Sequence, residues 1–228
     1  RFMKKIAINF LAVLFISALS LTKAFAVDFT FGVSGAIVDL QAEGSETETG
    51  AVSAETTSTS VSNMFGTGSI FAEAKFDKLA FGVDYIPIDA DVSDATHTRT
   101  DTETSVTGNK KETTTSRTQS AAAEVSDHLT IYANYYVNDV FYLHLGYASV
   151  DVVTNESLDT GSTYGDASIN GVQYGLGFQM TDNFRLEAAY TDYDSVSITS
   201  SVARTGVTTN NKISADLDTT QVKLSYHF

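Results

Sequence analysis

Through residues 170–194, NGVQYGLGFQMTDNFRLEAAYTDYD, apolar and polar positions alternate with a period of two on either side of a short polar turn. Val172, Tyr174, Leu176, Phe178 and Met180 share one face, and Gly171, Gln173, Gly175, Gly177 and Gln179 the other. Beyond Thr181-Asp182-Asn183 the second arm sets Phe184, Leu186, Ala188 and Tyr190 against Arg185, Glu187, Ala189 and Thr191. Successive side chains of a strand point to opposite sides, so the pattern predicts an antiparallel hairpin with one apolar face.

The same alternation recurs in VDFTFGVSGAIV from Val27, SIFAEAKF from Ser69, LAFGVDY from Leu79, HLTIYANYYV from His128, FYLHLGY from Phe141 and TTQVKLSYHF from Thr219. With the hairpin this makes eight strands. Three of their connections are tight, at Asp77-Lys78, Asn138 to Val140 and Thr181 to Asn183; the four between them are long and rich in Thr, Ser and acid. An even strand count with short turns at one end and long loops at the other fits an outer-membrane barrel better than a soluble sandwich, which has no reason to sort its loops by length. The expected fold is all-β, an eight-stranded antiparallel up-and-down transmembrane β-barrel whose apolar faces meet lipid. Aromatics near the turns, such as Phe141, Phe178, Phe184, Tyr226 and Phe228, and Tyr85, Tyr147 and Tyr190 at the far end, suit interfacial girdles.

The long connections read as continuations of the strands. Midpoints of the four long hairpins fall near positions 52, 108, 160 and 206, close to Gly50, Gly108, Gly161 and Gly206, which would supply tight turns. A turn at Gly108 would bring Thr104 opposite Thr113 and Thr102 opposite Thr115.

The first 26 residues change the picture of location. Arg1, Lys4 and Lys5 precede an apolar run from Ile6 to Leu21 and then Ala24-Phe25-Ala26, the layout of a secretory signal peptide (1–26) ahead of a barrel domain (27–228). The whole chain has 14 Lys and Arg against 28 Asp and Glu; without the four basic residues of the signal the balance is 10 against 28, or −18. Nucleic acid is excluded as a partner of such a surface. The chain has no cysteine, which removes disulfides, thiol nucleophiles and thiolate metal ligands.

Candidate chemistry is sparse. The four histidines, His97, His128, His144 and His227, lie in no metalloprotease spacing and form no nucleophile-base pair, so no catalytic site is expected. Acidic groups such as Glu43, Glu46 and Glu48, or Asp89, Asp91 and Asp94, lack the twelve-residue calcium loop and read as solvated loops, so neither metal nor cofactor is expected. The informative residues are those that would point inward at membrane depth: Glu73, Lys75, Asp84, Tyr132, Asn134, Tyr136, Tyr142, His144, Gln173, Arg185, Glu187, Gln221 and Lys223. Three acids would face three bases in a lumen only wide enough to be filled by side chains, so Arg185 or Lys223 is expected to bridge to Glu187, with Glu73 and Lys75 in the same network.

The hairpin GVQYGLGFQMTDNFRLEAAYTDYD and the closing strand VKLSYHF resemble the small outer-membrane β-barrels of Gram-negative bacteria, of the OmpA-like and OmpX-like eight-stranded type. That resemblance implies residence in the outer membrane and a closing strand, with Tyr226 and terminal Phe228, that the barrel assembly machinery reads as its signal. It leaves function broad. The first expectation is a non-enzymatic envelope or surface-interaction protein with a polar, filled lumen, contacting lipid, lipopolysaccharide through divalent cations and an unknown extracellular partner. A narrow channel for small or hydrophobic solutes is the alternative, which a side opening or a water path through the lumen would favour.

Overall fold

The computed structural model describes residues 27–49, 54–92, 97–106, 112–157, 163–201 and 210–228. The expected signal peptide and all four tip glycines lie outside these ranges. The strands are β1 (Asp28–Thr49), β2 (Ala54–Phe76), β3 (Leu79–Ile86), β4 (Ala90–Asp91), β5 (His97–Val106), β6 (Glu112–Tyr136), β7 (Phe141–Ser157), β8 (Ala167–Gln179), β9 (Phe184–Tyr193), β10 (Val196–Thr199) and β11 (Lys212–His227). Eight of them, in the order β1-β2-β3-β6-β7-β8-β9-β11, form an antiparallel ring that closes when β11 pairs with β1 from Gly32 opposite His227 to Thr47 opposite Lys212. β4 and β5 prolong the third stave along β6, and β10 prolongs the seventh along β11.

The three tight turns are built from the residues expected of them. Asp77 takes a positive φ of 52°. The Asn138 side chain accepts the Val140 and Phe141 amides at 2.9 and 2.8 Å, and Thr181 Oγ1 accepts the Phe184 amide at 3.1 Å. At the other end the strands do continue past the membrane, to Thr49 opposite Ala54 and Val106 opposite Glu112. The register expected from a turn at Gly108, which lies outside the described residues, is off by one: Thr104 lies opposite Thr114 and Thr102 opposite Ser116. The five residues between Val106 and Glu112 make an odd-length connection, whereas the expected register needed an even one.

Along β1, Phe31, Val33 and Ile37 are exposed on the outer face while Val38 and Leu40 are buried inside. Past Ile37 the outward positions become Asp39, Gln41 and Glu43, while the inward ones change from Thr30 and Ser34 to Val38, Leu40 and Ala42. The same inversion runs from Tyr147 to Ser149 and Asp151 on β7, from Tyr190 to Asp192 on β9, and from Val222 to Asp218 on β11. Below it the barrel turns its apolar side outward, which water would penalise and lipid would not; above it the barrel follows the logic of a soluble protein. The inversion therefore draws the rim of a membrane band.

Three inward glycines make room for aromatic rings from the neighbouring strand. Gly32 lies opposite Phe71, Gly82 opposite Tyr132 and Gly177 opposite Tyr142, and a Cβ on any of the three would come within 2.3 Å of the facing ring. The rings lie across these gaps and fill the lumen.

Candidate functional site

At the turn-side half of the lumen the inward side chains join in a polar plug. Arg185 Nη1 donates to both Glu73 carboxylate oxygens, at 3.2 and 3.0 Å, and to Tyr136 Oη at 3.0 Å; its Nε donates to His227 Nε2. Glu73 also accepts from Tyr132 Oη at 3.2 Å and Asn134 Nδ2 at 3.1 Å. Lys223 Nζ lies between Glu187 at 2.9 Å and Asp84 at 3.2 Å. Tyr142 Oη donates to Glu187 at 3.0 Å, and His144 links Asn134 to Gln173 with 2.8 Å contacts on its two ring nitrogens. Of the network residues anticipated from sequence, Glu73, Asp84, Tyr132, His144, Gln173, Arg185, Glu187, Gln221 and Lys223 are buried. Lys75 differs: its ammonium lies over the Tyr136 ring, 3.9 Å from the centroid. Glu187 takes Lys223 as its partner and Arg185 goes to Glu73. His227, on the closing strand, was not anticipated in this network.

The polar interior expected from the sequence extends over this half only. The loop-side half is lined by Val38, Leu40, Phe65, Val125, Val150 and Leu217, which enclose a chamber of about 50 Å³. A β-bulge between Ser126 and Leu129, with Asp127 at a φ of 52°, shifts β6 by one residue and turns Val125 and Ala123 inward in place of Ser126 and Glu124. Strict alternation through this strand would have missed that change of face.

The wall of this chamber is open on one side. β2 pairs with β3 from Phe76 opposite Leu79 only as far as Ile70 opposite Tyr85. Above that level the third stave breaks at Pro87, Ile88 and Asp89 and resumes as β4, whose ladder partner is β6. Asn63 Nδ2 reaches across to the Asp91 carbonyl at 2.8 Å. Between this bridge and Ile70 the Ile88 side chain stands in the seam, 3.9 Å from where a Cβ on Gly68 would lie. Ile88 and Thr67 line both the inner chamber and an open groove on the outer surface, whose other walls include the lipid-facing Ile37, Leu186, Val222 and Leu224.

Above the rim the outer surface is acidic. Asp218 lies opposite Asp192 on β9 and Gln41 on β1. Partial desolvation, with Asp192, Asp39 and Glu43 nearby, raises its carboxyl above the usual range. Closer to the loops and on the inward side of β1, in phase with Val38 and Leu40, Glu46 accepts a hydrogen bond from the buried Tyr164 Oη at 2.5 Å. Tyr226 and Phe228, at the turn end, stack edge to face on the outer surface with centroids 5.4 Å apart.

No protein-family model matches the chain, and no curated protein matches it. Among solved structures it is similar to the outer membrane protein OprG from Pseudomonas aeruginosa, with a TM-score of 0.51 at 9% identity over 87% of this chain and 95% of OprG. Ail, the attachment invasion locus protein of Yersinia pestis, crystallised with the heparin analogue sucrose octasulfate, matches at a TM-score of 0.39 and 13% identity over 86% of this chain and 99% of Ail. Neisserial surface protein A matches at 0.35 and 15% identity, over 84% and 96%. The likeness to OprG is one of fold, and the chain has the fold of a small outer-membrane β-barrel.

Proposed function

We propose that the protein is a side port of the Gram-negative outer membrane, which admits small apolar molecules from the outer end of the barrel and releases them through the wall into the lipid. The seam between β2 and the Pro87 to Asp89 segment carries this reading, because it joins an apolar chamber to a lipid-facing groove. Beneath the chamber the ion-paired plug closes the direct way down, so a molecule that enters has a lateral exit and no axial one. An anchor or adhesin of this fold needs no apolar chamber and no gap in its wall. The chamber is a third of the roughly 150 Å³ that takes a benzene-sized guest, so passage requires the Ile88 side chain to swing out.

The test uses vesicles with a lipopolysaccharide outer leaflet and a naphthalene-sized dye whose emission rises in lipid. Protein in the vesicles is expected to speed dye entry severalfold, and Gly68→Leu, which fills the seam beside Ile88, to abolish that gain. Dye entry no faster than in protein-free vesicles would end the proposal.

A further inference from the structure

The floor of the apolar chamber is not apolar. Here a recess of about 10 Å³, room for one hydroxyl or one water, adjoins the chamber and shares Thr67, His128, Gln173 and Gln221 with it. Three buried polar atoms lining the recess have no hydrogen-bond partner among the described residues: Thr67 Oγ1, Thr130 Oγ1 and His128 Nδ1. Thr130 is only 2% exposed, while His128 spends its other ring nitrogen on Tyr193 Oη at 2.9 Å. Buried polar groups are nearly always satisfied, and leaving one bare costs the full desolvation of that group. Three orphans around one hydroxyl-sized recess, at the end of an apolar chamber, describe a binding site with an apolar wall and a polar end.

We propose that the chamber selects small neutral molecules with an apolar body and a single hydroxyl end, the body against Leu40, Val150 and Leu217 and the hydroxyl in the recess between Thr67, Thr130 and His128. This rests on the side-port reading for how the ligand reaches and leaves the chamber. The charge of the ligand follows from the walls. Asp84 and Lys223 both line the recess, but the Lys223 ammonium is already held by Asp84 and Glu187, so no free counter-charge offsets the desolvation of a ligand carboxylate or ammonium. A hydroxyl, which can donate and accept at once, matches two threonine hydroxyls and an imidazole nitrogen that can each do either.

Cyclohexanol and methylcyclohexane, both larger than the chamber of about 50 Å³ and so admitted only with Ile88 swung out, have nearly the same shape and differ in the hydroxyl; cyclohexanecarboxylate adds the charge. Binding to folded protein in nanodiscs is followed by methyl NMR of Leu40, Val150, Leu217 and Ile88. Cyclohexanol is expected to shift these methyls saturably and to bind about tenfold more tightly than methylcyclohexane, and cyclohexanecarboxylate not at all. Thr130→Val keeps the side-chain shape and removes an unsatisfied hydroxyl, so it should leave thermal stability unchanged or higher while weakening cyclohexanol about three- to tenfold. Thr67→Val gives a second reading of the same loss. Equal binding of cyclohexanol and methylcyclohexane, or no effect of either valine variant, would overturn the inference. The side port fails separately: if cyclohexanol binds in a Thr130-dependent way but Gly68→Leu does not slow dye entry, the site stands and the lateral exit falls.

Discussion

Arg185→Ala tests the plug. Arg185 is 3% exposed and Glu73 5% exposed, and the guanidinium supplies Glu73 with two hydrogen bonds and Tyr136 and His227 with one each. Removing one partner of a buried ion pair costs about 3–5 kcal/mol, because the other charge is left uncompensated. Glu73 keeps the Tyr132 and Asn134 donors, which places the expected loss at the low end, about 3 kcal/mol or roughly 150-fold in the folding equilibrium. The measurement is reversible urea unfolding in lipid vesicles, followed by circular dichroism and tyrosine fluorescence. Adding Glu73→Gln to the Arg185→Ala background removes the stranded carboxylate, and at least half of the stability should return. The reasoning is refuted if Arg185→Ala costs less than about 1 kcal/mol, or if the double variant is no more stable than the single one.

Gly177→Ala would put a methyl 2.1 Å from Tyr142 Cζ and push that ring off Glu187, so thermal unfolding should show about 1–3 kcal/mol of lost stability. Gly35→Ala, where nothing lies within 4 Å, should be near neutral in the same assay. The raised carboxyl of Asp218 means that the folded state holds its proton more tightly than the unfolded chain does; this contribution to stability is present below the ordinary value near 3.8 and is lost as pH rises through the folded-state value. Asp218→Asn should therefore raise the unfolding temperature at pH 7, and the advantage should disappear at pH 3. Wild-type protein in planar bilayers should show little steady ion current, since the plug leaves no axial path, and long-lived stable openings would count against it.

Much of the barrel is legible in the sequence because period-two alternation and turn chemistry act locally. Asn138 and Thr181 cap their own turns, and Phe76 and Leu79 lie opposite each other across Asp77-Lys78. The inward positions could be named from parity alone, but their pairing could not: Lys223 lies opposite Glu187 on one side, while its contact with Asp84 crosses the lumen from a strand 139 residues away. The apolar chamber was in principle readable. Val38, Asp39, Leu40 and Gln41 already carry the inverted alternation, but it becomes meaningful only once the strand is known to continue beyond the membrane. The bulge before Leu129 and the unpaired stretch of β2 depend on neighbouring strands and leave no local signal beyond Pro87.

The position of the seam separates a working opening from an incidental one. Ile37, which faces lipid, lies opposite Gly66, so the ladder between β2 and β3 has already ended at Ile70 while the wall is still within the upper part of the apolar band. Unpaired backbone groups cost several kcal/mol in lipid and little in water, so a barrel that served only as an anchor would keep this ladder closed up to the rim. Pro87 points the same way, because a residue without an amide proton is tolerated where a strand edge is left unpaired. Amide exchange on β2 reads the seam directly. From Ala54 to Lys75 every residue of β2 faces β1, and successive amides of a strand point to opposite neighbours. From Ile70 to Lys75 both sets are paired and should exchange slowly. From Val61 to Ser69 protection should alternate, slow for the amides directed at β1 and fast for those directed at the seam. Uniform slow exchange from Val61 to Lys75 would mean that the wall is closed, and the lateral exit would have to be given up.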